Sequence, residues 1–299
     1  MDRPIIIVTG AGGFLGKSLV KYLSQFFAVR ALARSLMQIQ DLKEFSAGGL
    51  YRCHLPDDID SEAFAVKGNE KLIIIHCAYD VQTLDKNKAI KVNFEGTKRL
   101  VGIAHSIYGC KFIFISSLAG HSGAESLYGI IKFRLEKIME KSDLVIRPGT
   151  IIGNGGIFLQ AAKMVSWLPI VPIPFSNLIG LQTVGISDLC NAIYRCIVLN
   201  ILGSISVASP VQISFRDFYL KIAQVQKKRA LFLPIPIDLM FYSLLLAENL
   251  GLQLSVTSQN ILGIKSIKYK NTREDLRKLS IELQSFEECM ALLHSKRAT

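Results

Sequence analysis

An apolar, β-branched run, Ile5-Ile6-Ile7-Val8-Thr9, ends in Gly10-Ala11-Gly12-Gly13-Phe14-Leu15-Gly16 and passes directly into a helical pattern. That order predicts a buried parallel strand, a tight turn and a helix N-terminus. Gly10, Gly13 and Gly16 lack Cβ atoms, so the backbone there can approach a ligand closely. The helix behind the turn presents unpaired N–H groups and a partial positive charge, which favour a pyrophosphate. A bare strand-to-helix turn reads the same way, so the neighbouring signals decide.

Those signals alternate between strand and helix. Phe14 to Phe27 reads as a helix and Ala28 to Ala33 as the second strand. A short third strand is expected at Gly49 to Cys53 and a strong fourth at Lys71 to Ala78, whose small end could pass beneath an adenosine. Lys86 to Tyr108 reads as one long helix, Lys111 to Ser117 as a fifth strand, Ser126 to Lys141 as a helix and Asp143 to Pro148 as a sixth strand. Ser122-Gly123-Ala124-Glu125 reads as a capping box ahead of the helix at 126. The alternation implies an α/β fold, a doubly wound parallel sheet with helices on both faces. From residue 153 the pattern changes to glycine, proline and aromatics, and helices dominate after 214. The expected organisation is a dinucleotide-binding domain from 1–152 with 183–208, and a smaller, mostly helical substrate domain from 153–182 with 209–299.

The chain has 299 residues, half of them hydrophobic, and a mean hydropathy of +0.33. Its most apolar stretch, Leu231 to Leu252, is interrupted by Pro234, Pro236, Asp238 and Glu248. The remainder, Leu239 to Ala247, falls short of the ~20 residues a spanning helix needs, and reads as a buried or groove-lining helix. No signal-peptide pattern follows Met1, and the six scattered cysteines show no CxxC spacing. A reduced, cytoplasmic protein without structural metal is the expectation. The net charge of +11 comes with no aromatic–basic platform, which argues against nucleic acid. A solvated basic surface accounts for it, as does attraction of a polyanionic small molecule such as NADP or a nucleotide sugar.

In NAD-binding βαβ units an acidic residue after the second strand bonds the adenosine ribose, whereas an arginine accommodates a 2′-phosphate. This chain has Ala33 followed by Arg34, which favours NADP over NAD. Further along stands Tyr128-Gly129-Ile130-Ile131-Lys132. Residues four apart share a helix face, and an ammonium near a tyrosine hydroxyl favours the phenolate. Such a tyrosine can exchange a proton with a carbinol oxygen near neutral pH. Ser117, at the end of the fifth strand, could hold the same oxygen.

With these residues the chain resembles the extended branch of the short-chain dehydrogenase/reductase superfamily, also called the NAD-dependent epimerase/dehydratase family. Thr9 to Gly16 matches TGxxGxxG, Val92-Asn93-Phe94-Glu95-Gly96-Thr97 matches VNxxGT, and Phe114-Ile115-Ser116-Ser117 matches the strand that carries the catalytic serine. Tyr128 to Lys132 matches YxxxK, Ile146 to Gly153 matches the RPxxxxG turn, and Val184 to Leu189 resembles VxVxDL. The resemblance implies a Rossmann-type core, with Tyr128 as acid/base, Lys132 as its partner and ribose anchor, Ser117 as substrate-oxygen ligand and Asn93 as support. A buried structural asparagine is the equal alternative for Asn93. Cofactor contacts are expected from Gly10, Gly13, Phe14, Leu15, Gly16, Arg34, Cys77, Ala78, Tyr128, Lys132 and Pro148. A homodimer is implied as well.

Two departures narrow the activity. His54-Leu55 replaces the usual acidic–apolar pair after the third strand, and Ser117-Leu118-Ala119 replaces the Thr-Asp-Glu triplet of dehydratases. Without that acid pair, elimination of water is not expected. The leading expectation is an epimerase of a nucleotide sugar. The alternative is an NADPH-dependent reductase of a ketone, aldehyde or keto-sugar. Last comes a non-catalytic NADP-binding subunit.

Overall fold

Ile5–Thr9 and Leu72–His76 are buried along their whole length, as strands covered on both faces must be. A computed structural model describes residues 3–68, 70–81, 83, 85–175, 180–252, 254 and 256–295. The strands in chain order begin with β1 (Ile5–Thr9), β2 (Val29–Ala33), β3 (Gly49–His54), β4 (Asp58–Ile59), β5 (Leu72–His76), β6 (Lys111–Ile115) and β7 (Leu144–Pro148). They continue with β8 (Thr150–Ile152), β9 (Ile170–Phe175), β10 (Gly180–Leu181), β11 (Thr183–Gly185), β12 (Gly203–Val207), β13 (Ile213–Ser214) and β14 (Leu231–Pro236). The helices begin with α1 (Phe14–Leu23), α2 (Lys86–Ile90), α3 (Gly96–Ser106), α4 (Leu127–Glu136), α5 (Gly156–Trp167) and α6 (Ile186–Val198). After them come α7 (Phe215–Val225), α8 (Ile237–Asn249), α9 (Ser258–Lys265), α10 (Arg273–Leu279) and α11 (Phe286–Ser295).

The chain divides into two compact units. The first comprises Met1–Ser116, Ile131–Arg147 and Cys190–Ile205, and the second Ser117–Ile130, Pro148–Leu189 and Ser206–Thr299. The sheet order is β12-β7-β6-β5-β1-β2-β3-β4, with β3, β2, β1, β5, β6 and β7 running parallel. From β1 the chain moves outward through β2 and β3, then returns to β5 on the other side. The carboxyl ends of β1 and β5 therefore form the switch point where ligands bind in such sheets.

The glycine turn sits at that point, and packing dictates its composition. Gly10 has φ +70°, and a Cβ there would lie 2.7 Å from the Ala78 backbone. A Cβ on Gly16 would lie 2.2 Å from the Gly10 carbonyl oxygen. In the VNxxGT segment, Gly96 is forced in the same way, because a Cβ would meet the Leu55 side chain at 2.7 Å.

Local structure departs from expectation at several places. Helix α1 stops at Leu23 instead of Phe27, and the Phe26 ring packs on Tyr194 at 4.4 Å between centroids. The long helix from Lys86 is broken by a π turn at Lys91–Glu95, where Thr97 Oγ1 donates to the Asn93 carbonyl at 2.6 Å. Ser122 does not cap α4. Ser126 does, its Oγ accepting from the Gly129 N–H at 3.2 Å.

In the second unit, Phe158, Phe218 and Phe286 from α5, α7 and α11 pack in sequence, the first pair edge-on and the second tilted, at 6.2 and 5.4 Å between centroids. β8 pairs with β11, β10 with β13, and β9 with β14. The strand β14 was not expected in the helical tail; Pro234 and Pro236 deny that stretch a helix, and it pairs in parallel with β9 instead. Helix α8 forms, and of the expected alternatives, buried or groove-lining, the buried one fails: Met240 is its only buried residue. Residues 176–179, 253, 255 and 296–299 of the expected substrate domain lie outside the described residues. Among the described residues, no helix is long and apolar enough to cross a membrane.

The Gly16 contact gives a direct test of the turn. Gly16→Ala is expected to destabilise the chain by roughly 1–3 kcal/mol, as overpacking does, measured by urea unfolding. Gly102→Ala, where the added Cβ meets nothing, is the control and should stabilise slightly or leave the midpoint unchanged.

Candidate active site

Helix α1 opens at Phe14 with no side-chain cap and no acidic residue in its first turn. Gly13 precedes it, and a Cβ there would meet only the Gly10 carbonyl oxygen, at 3.2 Å. The turn thus offers an open backbone cradle in front of a positive helix end, which fits a pyrophosphate. Ala33 ends β2 beside Gly12, with no carboxylate to hold ribose hydroxyls at that position. Arg34 follows, half-exposed, its Nη1 3.8 Å from Asp80 Oδ2. Asp80 belongs to the loop after β5, so this ion pair links the segments that flank β1.

Asn93 is buried and binds that same loop twice. Its Oδ1 accepts from the Asp80 N–H at 2.7 Å, and its Nδ2 donates to the Asp80 carbonyl at 3.0 Å. Oδ1 and Nδ2 each hold the loop, the arrangement that the structural role for Asn93 calls for. Cys77 and Ala78 begin this loop: the Cys77 N–H donates to the Thr9 carbonyl, and Ala78 abuts Gly10. Burial pushes the Cys77 thiol up to about 12, so it stays protonated at neutral pH.

Lys132 is also buried. Its Nζ donates to the Ile115 carbonyl at 2.7 Å and lies over the rings of Tyr79 and Phe114, at 4.9 and 4.7 Å from their centroids. Burial lowers it to about 8, against the opposing pull of Cys77 and Glu136. The tyrosine behaves differently from expectation. Burial raises the Tyr128 hydroxyl above its ordinary value, and a hydrogen bond with the Ser117 side chain acts in the other direction. Ser117 and Tyr128 are thus brought together within the second unit. Pro148 closes the segment after the serine, its carbonyl accepting from the Leu118 N–H at 3.1 Å. Tyr128 and Lys132 share α4, four residues apart, and the unit boundary falls between Ile130 and Ile131.

Sequence reasoning missed a buried polar chain beneath the turn. Thr9 Oγ1 lies 2.6 Å from His76 Nδ1, and His76 Nε2 lies 2.9 Å from Thr97 Oγ1. Thr97 gives its one hydroxyl proton to the Asn93 carbonyl. His76 must therefore donate from Nε2 and accept at Nδ1, the neutral tautomer. Burial, helped by the charge of Lys132, lowers this imidazole to about 3. The signal was present: Thr9 and His76 are the polar ends of two apolar runs, and they stand opposite each other in the parallel register. A second missed element is Glu136, which accepts from Ser116 Oγ and binds Arg147 through two donors, Nε at 2.9 Å and Nη2 at 2.6 Å.

The profile of the 3-beta hydroxysteroid dehydrogenase/isomerase family matches residues 7–126, the span holding the glycine turn, Asn93 and Ser117. Over that span the chain is similar to the extended short-chain dehydrogenase/reductase superfamily. Ceramide reductase of Caulobacter vibrioides is 31% identical over 184 residues, covering 57% of this chain and 54% of that protein. UDP-glucose 4-epimerase of Vibrio cholerae is 26% identical over 227 residues, covering 64% and 66%. The chain therefore matches between half and two-thirds of the length of these curated relatives. In fold it is similar to a UDP-glucose 4-epimerase from Stenotrophomonas maltophila solved with bound NAD and formylated UDP-arabinopyranose. That match has a TM-score of 0.70 at 12% identity and covers 99% of this chain and 100% of the other.

His76 makes a pH test available. A histidine whose folded pKa is depressed binds its proton more readily when unfolded. Its contribution to stability is complete above about 6.5 and is lost as pH falls toward 3. The urea midpoint should fall from pH 7 to pH 4. In His76→Gln, which can keep both hydrogen bonds, the pH slope should be smaller by about one proton. Equal slopes would show that His76 is not held neutral.

Proposed function

We propose that this chain is an NADPH-dependent reductase of a carbonyl compound, with Tyr128 as proton donor. The observation that carries the reading is Arg34 just after β2, held among the described residues by a long, partly exposed contact to Asp80. Such a pair is worth under about 1 kcal/mol, so a ribose 2′-phosphate competes for the guanidinium with little loss. Gly10, Gly13 and the open end of α1 would hold the pyrophosphate, Arg34 the 2′-phosphate and Lys132 the nicotinamide ribose. When bound, the cofactor supplies the hydride.

The chain's own groups handle the proton. Ser117 and Tyr128 are hydrogen-bonded to each other and can both face one substrate oxygen. As negative charge grows on that oxygen, Tyr128 releases its proton to it and Ser117 donates a second hydrogen bond. The raised pKa of Tyr128 keeps it protonated at neutral pH, the state a reductase requires. Similarity to a ceramide reductase supports a net reduction.

A second reading, epimerisation of a nucleotide sugar, is favoured by the similarity to UDP-glucose 4-epimerase. There the same tyrosine would first accept a proton, and the cofactor would be recycled in place. The bound nucleotide distinguishes the two. Protein purified without added cofactor and then denatured should release little nucleotide if it is a reductase, and stoichiometric NAD if it is an epimerase.

Two substitutions test the leading reading. Tyr128→Phe should cut carbonyl reduction by a factor on the order of 10³ while NADPH still binds. Retained activity would remove Tyr128 from the chemistry. Arg34→Ala should weaken NADPH about tenfold and leave NADH unchanged. Equal loss for both would remove the 2′-phosphate assignment.

A further inference from the structure

The second unit exposes apolar side chains where two of its elements meet. In the β9–β14 pair, Leu231 stands opposite Ile170 and Leu233 opposite Pro172. Residues two apart on a strand share a face, so Leu231, Leu233 and Ile170 form one surface. They are 65%, 49% and 51% exposed. Trp167 and Leu168, just ahead of β9, are 83% and 41% exposed. Helix α8, which follows β14, continues the pattern with Leu239, Tyr242, Leu246 and Leu250, all more than 60% exposed and spaced along one stripe.

Around the β9–β14 part of this face the charge has one sign, and the first carboxylate beyond it is Asp238 of α8, which pairs with Lys265. Residues 156–175 and 218–237 contain no aspartate or glutamate, while they carry Lys163, Lys221, Lys227, Lys228 and Arg229. Lys221 pairs with Glu287. The other four are exposed and in no salt bridge among the described residues. Lys163 lies one helical turn before Trp167, and Lys227-Lys228-Arg229 runs almost directly into β14. A shallow depression there joins the two characters, lined by Leu220, Ala223, Lys228, Arg229, Leu231 and Phe232.

We infer that this face lies on an anionic lipid bilayer. Trp167, Leu168, Ile170, Leu231 and Leu233 enter the headgroup–acyl boundary, and Lys163, Lys227, Lys228 and Arg229 meet lipid phosphates. An exposed tryptophan beside leucines and lysines suits that boundary, where the ring has an apolar body and a polar edge. Anionic leaflets attract such basic segments. A second copy fits less well, because a two-fold contact would set the same cations against each other. The inference stands apart from the reductase reading, since none of these residues is assigned to the cofactor or the proton.

Trp167 is the only tryptophan, so its emission reports on this face alone. The full chain would be mixed with vesicles of phosphatidylcholine, or of phosphatidylcholine with phosphatidylglycerol. With the anionic vesicles, emission should move to shorter wavelength and the protein should float with the lipid, less so at high salt. Lys227→Gln, Lys228→Gln and Arg229→Gln together should weaken binding about 100-fold. Leu231→Ser with Leu233→Ser should abolish the emission shift. NADPH titration of each variant should match the parent, which separates a failed docking face from a failed cofactor site. No shift and no flotation with either vesicle would overturn the inference. So would a vesicle-free dimer in which Trp167 emission moves to longer wavelength on dilution, because that assigns the face to a second copy.

Discussion

Three backbones converge on Gly10. Its φ of +70° turns the chain at the end of β1, Ala78 presses on it from the end of β5, and Gly16 of α1 lies against its carbonyl. No side chain fits between them. The helix N-terminus is therefore aimed over the switch point of the sheet by close packing, and the open backbone cradle is a consequence of that packing. The motif's glycines have two different reasons: Gly10 and Gly16 are required by the fold, whereas Gly13 is where the backbone opens outward.

Beneath this contact, the chain Thr9–His76–Thr97–Asn93–Asp80 ties β1, β5, α3 and the loop after β5 into one hydrogen-bonded unit. Each member of such a buried network must find its partners, because an unpaired polar group there costs on the order of 1–3 kcal/mol. The same network ends at Asp80, which meets Arg34. The charge of Arg34 and core packing are thus connected through named atoms within the first unit.

The strands and their alternation were legible because buried parallel strands write themselves as unbroken apolar runs, as in Ile5–Val8 and Leu72–Ile75. Helix ends were not, since they depend on tertiary partners. Phe26 leaves α1 for Tyr194, and the π turn at Asn93 follows hydrogen bonds to a loop far away in sequence. β14 could have been read from its prolines, but an edge strand's identity lies in its partner, β9. For the site, residue types and spacing marked Ser117, Tyr128 and Lys132. The pKa directions were not readable, because burial depends on the whole fold and here outweighs the expected influence on Tyr128.

The high apolar content with a charge of +11 looks contradictory if all apolar residues serve the core. The structure divides them. Ile and Val of the parallel sheet are consumed in the first unit, and the phenylalanines of α5, α7 and α11 in the second. The leucines of β14 and α8 are left outside, and no carboxylate separates those of β14 from the basic run Lys227-Lys228-Arg229. A surface selected only for solubility would intersperse both signs and avoid a contiguous apolar face. With apolar and cationic residues concentrated together around the β9–β14 pair of the second unit, positive charge and hydrophobicity can answer a single requirement there.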